Sequence, residues 1–198
     1  MNICIFGGAF DPVHNGHIKI ALSALKQFNI DKLIFMVSKE PPHKSSHKAE
    51  FIHRYNMVKL VTDKYSFFDV TDIENRSDTL SYTYNSLQEI NKLYKNDNLY
   101  FLVGSDIFAT IESWYKYNEL FDFTTFIVGY RPGISFENML EQLPKNIINR
   151  IEEHNKIELF QLDSVDISSS YIRENIEKSY EFLPEEVYVY IKQNKLYR

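Results

Sequence analysis

Long apolar runs, clustered basic residues and cysteine are all scarce in this chain, and each shortage excludes a class of protein. The longest apolar runs, such as residues 33–37 and 100–103, are far too short to span a bilayer. The formal net charge is −5, with no stripe of Lys or Arg, which argues against a nucleic acid or an anionic membrane as partner. Any basic residues that meet phosphates must therefore be few and local.

The one cysteine, Cys4, lies inside the first apolar run, where we interpret it as a small buried thiol. Met1 and Asn2 lead directly into that run, which leaves no room for a signal peptide. Both features predict a cytoplasmic protein. With 198 residues and no composition break, repeat or low-complexity tract, the chain is predicted to form a single domain. The sequence leaves open whether it forms a homo-oligomer.

Short strand-like runs alternate with helix-length amphipathic stretches along the chain. The runs lie near residues 2–6, 33–37, 66–71, 99–103, 124–129 and 157–162. This alternation predicts an α/β fold, a Rossmann-like doubly wound parallel sheet with a small C-terminal helical subdomain. We expect a core over 1–160 and a C-terminal part over 161–198. Ligands of such sheets bind beyond the carboxyl ends of the strands, commonly between the first and the fourth.

The segment after the first apolar run carries the strongest chemical signal. It opens a helix-length stretch and reads Gly7-Gly8-Ala9-Phe10-Asp11-Pro12-Val13-His14-Asn15-Gly16-His17. Two glycines let the backbone turn sharply and approach a ligand, and the N-terminus of a helix favours an anion. His14 and His17 are three apart, so they are predicted to lie on one face of the first turn. The segment is therefore a candidate site for a nucleotide phosphate.

A second candidate anion site lies near the end of the chain, in Ile167-Ser168-Ser169-Ser170-Tyr171-Ile172-Arg173. Serines before an amphipathic run are typical of a capped helix N-terminus. Three hydroxyls and free N–H groups can hold phosphate oxygens, and Arg173, about one turn in, can reach back with its guanidinium. A plain helix cap with a surface arginine is the purely structural alternative.

Other interpretations of these motifs are weaker. A metal site of Asp11, His14 and His17 competes, but helical zinc histidines usually sit four apart with a further ligand nearby. The serines lack the G-x-S-x-G pattern of a hydrolase nucleophile, and the glycines lack the G-x-G-x-x-G spacing of a dehydrogenase. His47 and His53 are interpreted as solvated.

Three further segments are predicted to complete the pocket. Gly104-Ser105-Asp106 ends the fourth strand and would face the two glycines, with Asp106 placed to accept hydrogen bonds from a ribose or other hydroxyls. Trp114, the only tryptophan, is predicted on a helix over 107–117, where core packing and stacking on a planar ligand explain it about equally well. The polar loop 38–48, stiffened by two prolines, is a candidate wall.

Together these segments resemble the nucleotidylyltransferase superfamily, through the H-x-G-H element at His14 to His17 and through the serine-rich motif that ends at Arg173. The resemblance to the bacterial nicotinate-nucleotide adenylyltransferase family is closer and covers essentially the whole chain. That family shows equivalents of Pro41-Pro42-His43-Lys44, Ser81-Tyr82-Thr83-Tyr84, Gly104-Ser105-Asp106 followed by Trp114, Arg131-Pro132-Gly133 and a tail like Leu183 to Tyr197. One departure is Asn85-Ser86, where an Asp-Thr pair is expected, and it concerns only the local helix cap.

The resemblance implies adenylyl transfer from ATP to nicotinate mononucleotide, which gives deamido-NAD and pyrophosphate in NAD biosynthesis. It implies no protein metal site, because Mg²⁺ would arrive on the ATP phosphates. His14, His17 and Arg173 would be catalytic, with His17 the stronger candidate for the α-phosphate. The residues that would bind ATP are Gly7, Gly8, Ala9, Phe10, Gly16, Ile167, Ser168, Ser169 and Ser170. Those that would bind the mononucleotide are Lys44, Ser81, Tyr82, Thr83, Gly104, Asp106 and Trp114, although Lys44 fits a solvated loop lysine equally well.

Two other functions stay open. A different acceptor, such as nicotinamide mononucleotide or phosphopantetheine, would use the same scaffold, but the phosphopantetheine family is typically shorter and has Thr in place of His14. A non-catalytic nucleotide-binding module needs one anchored phosphate site, whereas the two motifs here would straddle the bond between the α- and β-phosphates.

Overall fold

A computed structural model describes residues 1–39, 48–76, 82–130, 140–141, 143–153, 156–161 and 167–198. Its strands are β1 (Asn2–Gly8), β2 (Lys32–Val37), β3 (Phe68–Thr71), β4 (Asn98–Gly104), β5 (Thr125–Tyr130) and β6 (Ile157–Gln161). Its helices are α1 (Asn15–Gln27), α2 (Phe51–Thr62), α3 (Thr83–Leu93), α4 (Ser105–Phe108), α5 (Tyr117–Leu120), α6 (Lys145–Glu152), α7 (Ser169–Glu174) and α8 (Glu185–Gln193). The predicted strands are thus confirmed to within one or two residues at most ends.

The strands form one parallel sheet in the order β3-β2-β1-β4-β5-β6. The strand order reverses between β1 and β4, which pair from Asn2 with Asn98 to Phe6 with Leu102. Their carboxyl ends therefore open side by side, at the point where ligands bind in doubly wound sheets. The predicted fold class and the predicted neighbours at its crevice are confirmed.

Both faces of the sheet are covered, as a parallel sheet requires. Side chains alternate along β1, so Ile3 and Ile5 join one buried cluster and Cys4 and Phe6 join another. Helices α3 and α6 cover the first cluster, while α1, α2 and α8 cover the second. Cys4 is fully buried, which raises the pKa of its thiol and keeps it protonated. None of the helices in the described part of the chain has the length and apolarity needed to cross a membrane.

The helix predicted over 107–117 is wrong. Helix α4 ends at Phe108, a single 3-10 turn covers Ile111–Ser113, and Trp114 has an extended backbone. The hydroxyls of Thr110 and Ser113 donate to the carbonyls of Ile107 and Thr110, which offers the backbone an alternative to a continuous helix. Trp114 therefore sits on an irregular segment beyond β4.

Candidate active site

The first strand carries Gly7 and Gly8 as its last residues, so the prediction that these glycines make the sharp turn is wrong. Neither has a left-handed backbone, and both are needed for close packing. A Cβ on Gly7 would lie 2.9 Å from the Phe101 ring, and a Cβ on Gly8 would lie 2.9 Å from the Phe10 ring. Phe10 itself turns the chain, with a φ of 48°, and its buried ring packs against Phe6 and Phe35.

Helix α1 begins with the two histidines in contact. His14 is the N-cap and His17 lies in the first turn, and their rings stack with centroids 3.8 Å apart. The backbone N–H of His14 donates to Nδ1 of His17 over 3.3 Å. The prediction that the two imidazoles share one face of the first turn is confirmed. Gly16, between them, is buried.

Both imidazoles are neutral near pH 7. Burial lowers the pKa of His14 to about 4, and burial together with repulsion from a charged His14 lowers the pKa of His17 well below its usual value. Because Nδ1 of His17 accepts a hydrogen bond, its proton must be on Nε2. His17 therefore presents one N–H donor away from the helix cap. The Nδ1 atom of His14 is buried without a hydrogen-bond partner in the described residues.

Helix α7 starts beside this pair. Ser168 is its N-cap, and its hydroxyl accepts from the backbone N–H of Tyr171 over 3.2 Å. Ser169 Oγ donates to the carbonyl of Pro12 over 3.1 Å. Arg173 reaches back as predicted: one guanidinium nitrogen donates to Ser170 Oγ over 3.0 Å and the other to the carbonyl of Asp11 over 2.7 Å. The two motifs, far apart in sequence, form one site.

Asp11 is an anchor whose carboxylate is engaged by hydrogen bonds from within the protein. Its buried carboxylate accepts from the N–H groups of Lys48 and Ala49 and from the hydroxyl of Tyr197, at 2.8, 3.2 and 2.6 Å. No cluster of three or more metal-ligating side chains occurs within the ranges that the structure describes. Asp11 instead ties the turn to two distant segments.

Arg54 is a second anchor, and nothing in the sequence pattern indicated it. It is a buried residue of α2 whose guanidinium donates to the carbonyls of Ala9, Ser38, Lys39 and Ala49 at 2.7–3.2 Å. It thus holds the turn after β1, the first two residues of the predicted wall 38–48 and the residue that follows that wall. Residues 40–47 of that wall lie outside the described residues, and so do the predicted site residues Lys44 and Ser81. The prediction that His53 is solvated is wrong, because His53 is half-buried and hydrogen-bonded to Tyr190.

The predicted mononucleotide residues gather on the other side of β1. The Phe101 ring touches the Cβ position of Gly7 and packs edge-to-face on Trp114, with centroids 6.2 Å apart. Tyr82, the N-cap of α3, packs on Tyr115 with ring centroids 4.8 Å apart, which places the start of α3 next to Trp114. Thr83 is the first residue of that helix.

Gly104 is the last residue of β4, and Asp106 follows it in α4. The carboxylate of Asp106 is exposed and lies 2.7 Å from where a Cβ on Gly104 would stand. Gly104 thus leaves room for Asp106 at the end of β4. Hydroxyls, N–H groups and one guanidinium thus gather at the starts of α1 and α7, whereas aromatic rings and a carboxylate gather at the start of α3 and after β4. The first set suits phosphates and the second suits a ring and a ribose.

The comparison with known protein families shows which family this chain belongs to. The family model described as cytidylyltransferase-like matches residues 5–175, which span both motifs of the site. The chain belongs to this cytidylyltransferase-like family. Membership agrees with the resemblance to nucleotidylyltransferases that the sequence predicted.

Individual relatives show to which group of enzymes within the cytidylyltransferase-like family this chain belongs. A probable nicotinate-nucleotide adenylyltransferase from Clostridium botulinum is 36% identical over the full length of both chains. One from Clostridium perfringens is 39% identical over 99% of this chain and 98% of its own. This cytidylyltransferase-like chain is therefore a member of the nicotinate-nucleotide adenylyltransferases, and the predicted enzyme class is confirmed.

Two solved structures are similar to this chain over nearly its whole length. The Plasmodium falciparum nicotinic acid mononucleotide adenylyltransferase complexed with NaAD has a TM-score of 0.76 at 27% identity, covering 99% of this chain and 97% of its own. The structure of the same enzyme complexed with APC has a TM-score of 0.75 at 24% identity, covering 99% of this chain and 96% of its own, and supports the fold. The likeness covers the whole cytidylyltransferase-like chain, including α7 and α8.

Proposed function

We propose that this chain transfers the adenylyl group of ATP to nicotinate mononucleotide. The 5′-phosphate of the mononucleotide attacks the α-phosphorus, the bond to the β-phosphate oxygen breaks, and pyrophosphate leaves as deamido-NAD forms. The observation that carries the proposal is the hydrogen bond from Arg173 to the carbonyl of Asp11, because it joins the two phosphate motifs beside the histidine pair. The full-length likeness to nicotinate-nucleotide adenylyltransferases supports it.

Alignment of two anions is the main contribution that these residues can make. Both reactants carry their own nucleophile or leaving group, so no covalent intermediate on the protein is needed. Holding the reacting atoms in line is worth roughly 7–11 kcal/mol of barrier. Fixed donors add to this by stabilising the charge that develops in the transition state.

His14 and His17 are assigned to the ATP phosphates. The Nε2–H of His17 is the group we assign to the α-phosphate, since its ring is held by the cap bond from His14. A neutral imidazole suits this position because it donates one directed hydrogen bond without a proton transfer. The backbone near Gly7, Gly8, Ala9, Phe10, Gly16 and Ile167 would face the adenosine.

The start of α7 is assigned to the leaving group. Ser168, Ser169 and Ser170 would meet the β- and γ-phosphates, and Arg173 would neutralise the pyrophosphate as it departs. The existing bonds of Arg173 hold its guanidinium at the turn before ATP arrives, which reduces the ordering cost of binding.

The mononucleotide would bind between α3 and the segment after β4. Tyr82 and Thr83, at the start of α3, would bind the nicotinate carboxylate, because a helix N-terminus favours an anion and the first turn of α3 has no acidic residue. Trp114 would stack on the ring, and Asp106 would accept hydrogen bonds from the ribose. Lys44 and Ser81 stay predictions for the same subsite.

The donor set fits a nucleotide that brings its own magnesium. Imidazole N–H, hydroxyl and guanidinium groups bind phosphate oxygens, whereas Mg²⁺ prefers carboxylates, phosphates and water. Mg²⁺ bound to the triphosphate would supply charge neutralisation there. We also propose that residues 1–198 act as one domain, since α7 and α8 contribute Ile172, Val187 and Ile191 to the buried cluster under β1.

Pyrophosphate release tests the proposal. The purified chain is incubated with ATP and Mg²⁺, alone and with nicotinate mononucleotide, nicotinamide mononucleotide or phosphopantetheine, and the dinucleotide product is identified by mass. Release with nicotinate mononucleotide, and formation of deamido-NAD, is the expected result. Release only with another acceptor would show that the acceptor substrate is that molecule and not nicotinate mononucleotide. No release with any acceptor would favour a nucleotide-binding module.

A further inference from the structure

The segment after α8 lies against the candidate active site. Tyr197, the penultimate residue, donates its hydroxyl to Oδ1 of Asp11 over 2.6 Å. Burial and the neighbouring carboxylate of Asp11 raise the pKa of this phenol, so it stays protonated and remains a donor. The contact links residues 186 positions apart and inserts the tail beside the turn that follows β1.

Asp11 connects Tyr197 to the phosphate motifs through its side chain and its backbone. Its carboxylate is held on the other side by the N–H groups of Lys48 and Ala49. Its own backbone carbonyl receives the hydrogen bond of Arg173, and the carbonyl of the next residue receives that of Ser169. The position of the Asp11 backbone therefore sets where the guanidinium of Arg173 is held.

We propose that Tyr197 is a positioning residue for adenylyl transfer, acting through Asp11 on Arg173 and on the start of α1. The inference rests on the proposed function. Because the hydroxyl of Tyr197 is bonded to Asp11, its effect is on the geometry of the phosphate site. The two phosphate motifs do not by themselves predict a role for Tyr197. The fold brings Tyr197 to Asp11 from 186 positions away in the sequence.

The end of the chain is built to hold Tyr197 in place without a ligand. Helix α8 packs into the core through Val187 and Ile191, and the N–H of Leu196 then donates to the carbonyl of Ile191 over 3.1 Å. Tyr197 has a φ of 60°, a backbone conformation that L-residues adopt only where contacts favour it. The hydrogen bond to Asp11 is such a contact.

Removing the hydroxyl alone tests the proposal, with Tyr190 as the matched control. Tyr190 is also half-buried, and its hydroxyl bonds His53 and Asn56 of α2, away from the phosphate motifs. We expect Tyr197→Phe to lower kcat about tenfold or more and to weaken ATP binding, with the KM for nicotinate mononucleotide within about twofold. Tyr190→Phe should keep kcat within about twofold of the parent chain. All rates are measured well below the Tm of each variant.

A double-mutant cycle separates positioning from a general loss of stability. If Tyr197 acts through Asp11, adding Tyr197→Phe to Asp11→Asn should lower kcat by less than a further twofold or so. Multiplying losses in the double variant would overturn the proposal. So would a parent-like kcat and ATP affinity in Tyr197→Phe, or equal losses in Tyr197→Phe and Tyr190→Phe.

The Kd for ATP, measured by calorimetry without an acceptor, keeps the test independent of the proposed reaction. If the parent chain makes no deamido-NAD, the proposed function fails, and weaker ATP binding in Tyr197→Phe but not in Tyr190→Phe still supports the positioning role. If the parent chain makes deamido-NAD and Tyr197→Phe matches it in both rate and Kd, only the positioning role fails.

Discussion

His17 has two separable hydrogen-bonding atoms, and each does a different job. Nδ1 accepts from the backbone N–H of His14 and so caps α1, while Nε2 carries the proton that we assign to the α-phosphate. A substitution that keeps one atom and removes the other can therefore distinguish helix stability from catalysis.

We expect His17→Asn to lower kcat by about 10²–10³-fold, because its side chain can still cap the helix but cannot reach the α-phosphate. The Tm should stay close to that of the parent chain, and the Kd for ATP should change much less than kcat. His17→Ala, which loses both atoms, should show the same fall in kcat together with a lower Tm. Steady-state kinetics and thermal unfolding measure these effects, and an unchanged kcat in either variant would contradict the role given to His17.

His14 makes the stability of the protein depend on pH. An unfolded chain takes up a proton on this histidine below about pH 6.5, whereas the folded chain does so only near its lowered pKa of about 4. Protonation therefore favours the unfolded chain between these values, and stability falls as the pH is lowered. The loss from His14 is about 2 kcal/mol between pH 7 and pH 5.

Urea unfolding at a series of pH values checks this expectation. His14→Asn has no imidazole to titrate at this position, so its stability should fall less than that of the parent chain over the same range. Lys178→Ala, at an exposed position after α7, is a control that should keep the parent's pH dependence. Parallel pH curves for His14→Asn and the parent chain would show that His14 is not held neutral by folding.

At the scale of elements, two short helix starts form the phosphate site jointly. Helix α1 contributes the histidine pair, and α7 contributes the serines and Arg173, which is bonded to the turn before α1. The arginine therefore belongs structurally to both elements, so its loss should affect binding as well as rate.

Arg173→Ala should weaken ATP binding about 10–100-fold, the worth of a hydrogen bond to a charged group, and should also lower kcat. Lys178→Ala removes the same charge from the segment just beyond α7 and should leave the Kd for ATP within about twofold, because exposed charges contribute little. Calorimetric titration of both variants with ATP and Mg²⁺ measures the difference. Equal weakening in the two variants would mean that net charge, and not the position of Arg173, governs binding.

The sequence predicts these elements well where the signal is local. Strands follow from short apolar runs, and the start of α7 follows from Ser168, whose cap bond is present. The helix predicted over 107–117 fails because the hydroxyls of Thr110 and Ser113 bond local carbonyls and so compete with a continuous helix. Family resemblance assigns roles to residues that the local pattern leaves ambiguous, and those roles stay predictions.

Long-range anchors are the part of the site that sequence reasoning missed. The sequence indicates Asp11 only as a weak metal candidate and gives no indication of Arg54, since the partners of Arg54 are backbone carbonyls from three separate segments. Periodicity reports which face of an element is buried, but it does not report which distant carbonyl a buried arginine meets. The resemblance of the segment from Leu183 to Tyr197 to the family's tail is the one sequence feature that includes Tyr197.

At the scale of the whole molecule, the two proposed binding sites lie on either side of the carboxyl end of β1. The hydrogen-bond donors that we assign to the phosphates lie at the starts of α1 and α7. The aromatic residues lie at the start of α3 and on the segment after β4, with Phe101 between Gly7 and Trp114. This division predicts that the acceptor is selected on a side that makes little contact with ATP. Substitutions at the start of α3 should therefore change acceptor preference while leaving the KM for ATP nearly unchanged.

We expect the parent chain to prefer nicotinate mononucleotide over nicotinamide mononucleotide by at least about a hundredfold in kcat/KM, because an amide places N–H groups against donors that suit a carboxylate. Thr83→Val keeps the shape of the first residue of α3 but removes its hydroxyl, so it should reduce this preference by lowering kcat/KM for the nicotinate form alone. Thr62→Val, at the end of α2, is a matched control whose hydroxyl donates to the local carbonyl of Lys59, and it should leave the preference unchanged. Competition assays with both mononucleotides at fixed ATP give the ratio directly. Equal efficiencies in the parent chain would show that the start of α3 does not bind the carboxylate as proposed, since a donor site at a helix N-terminus cannot treat a carboxylate and an amide alike.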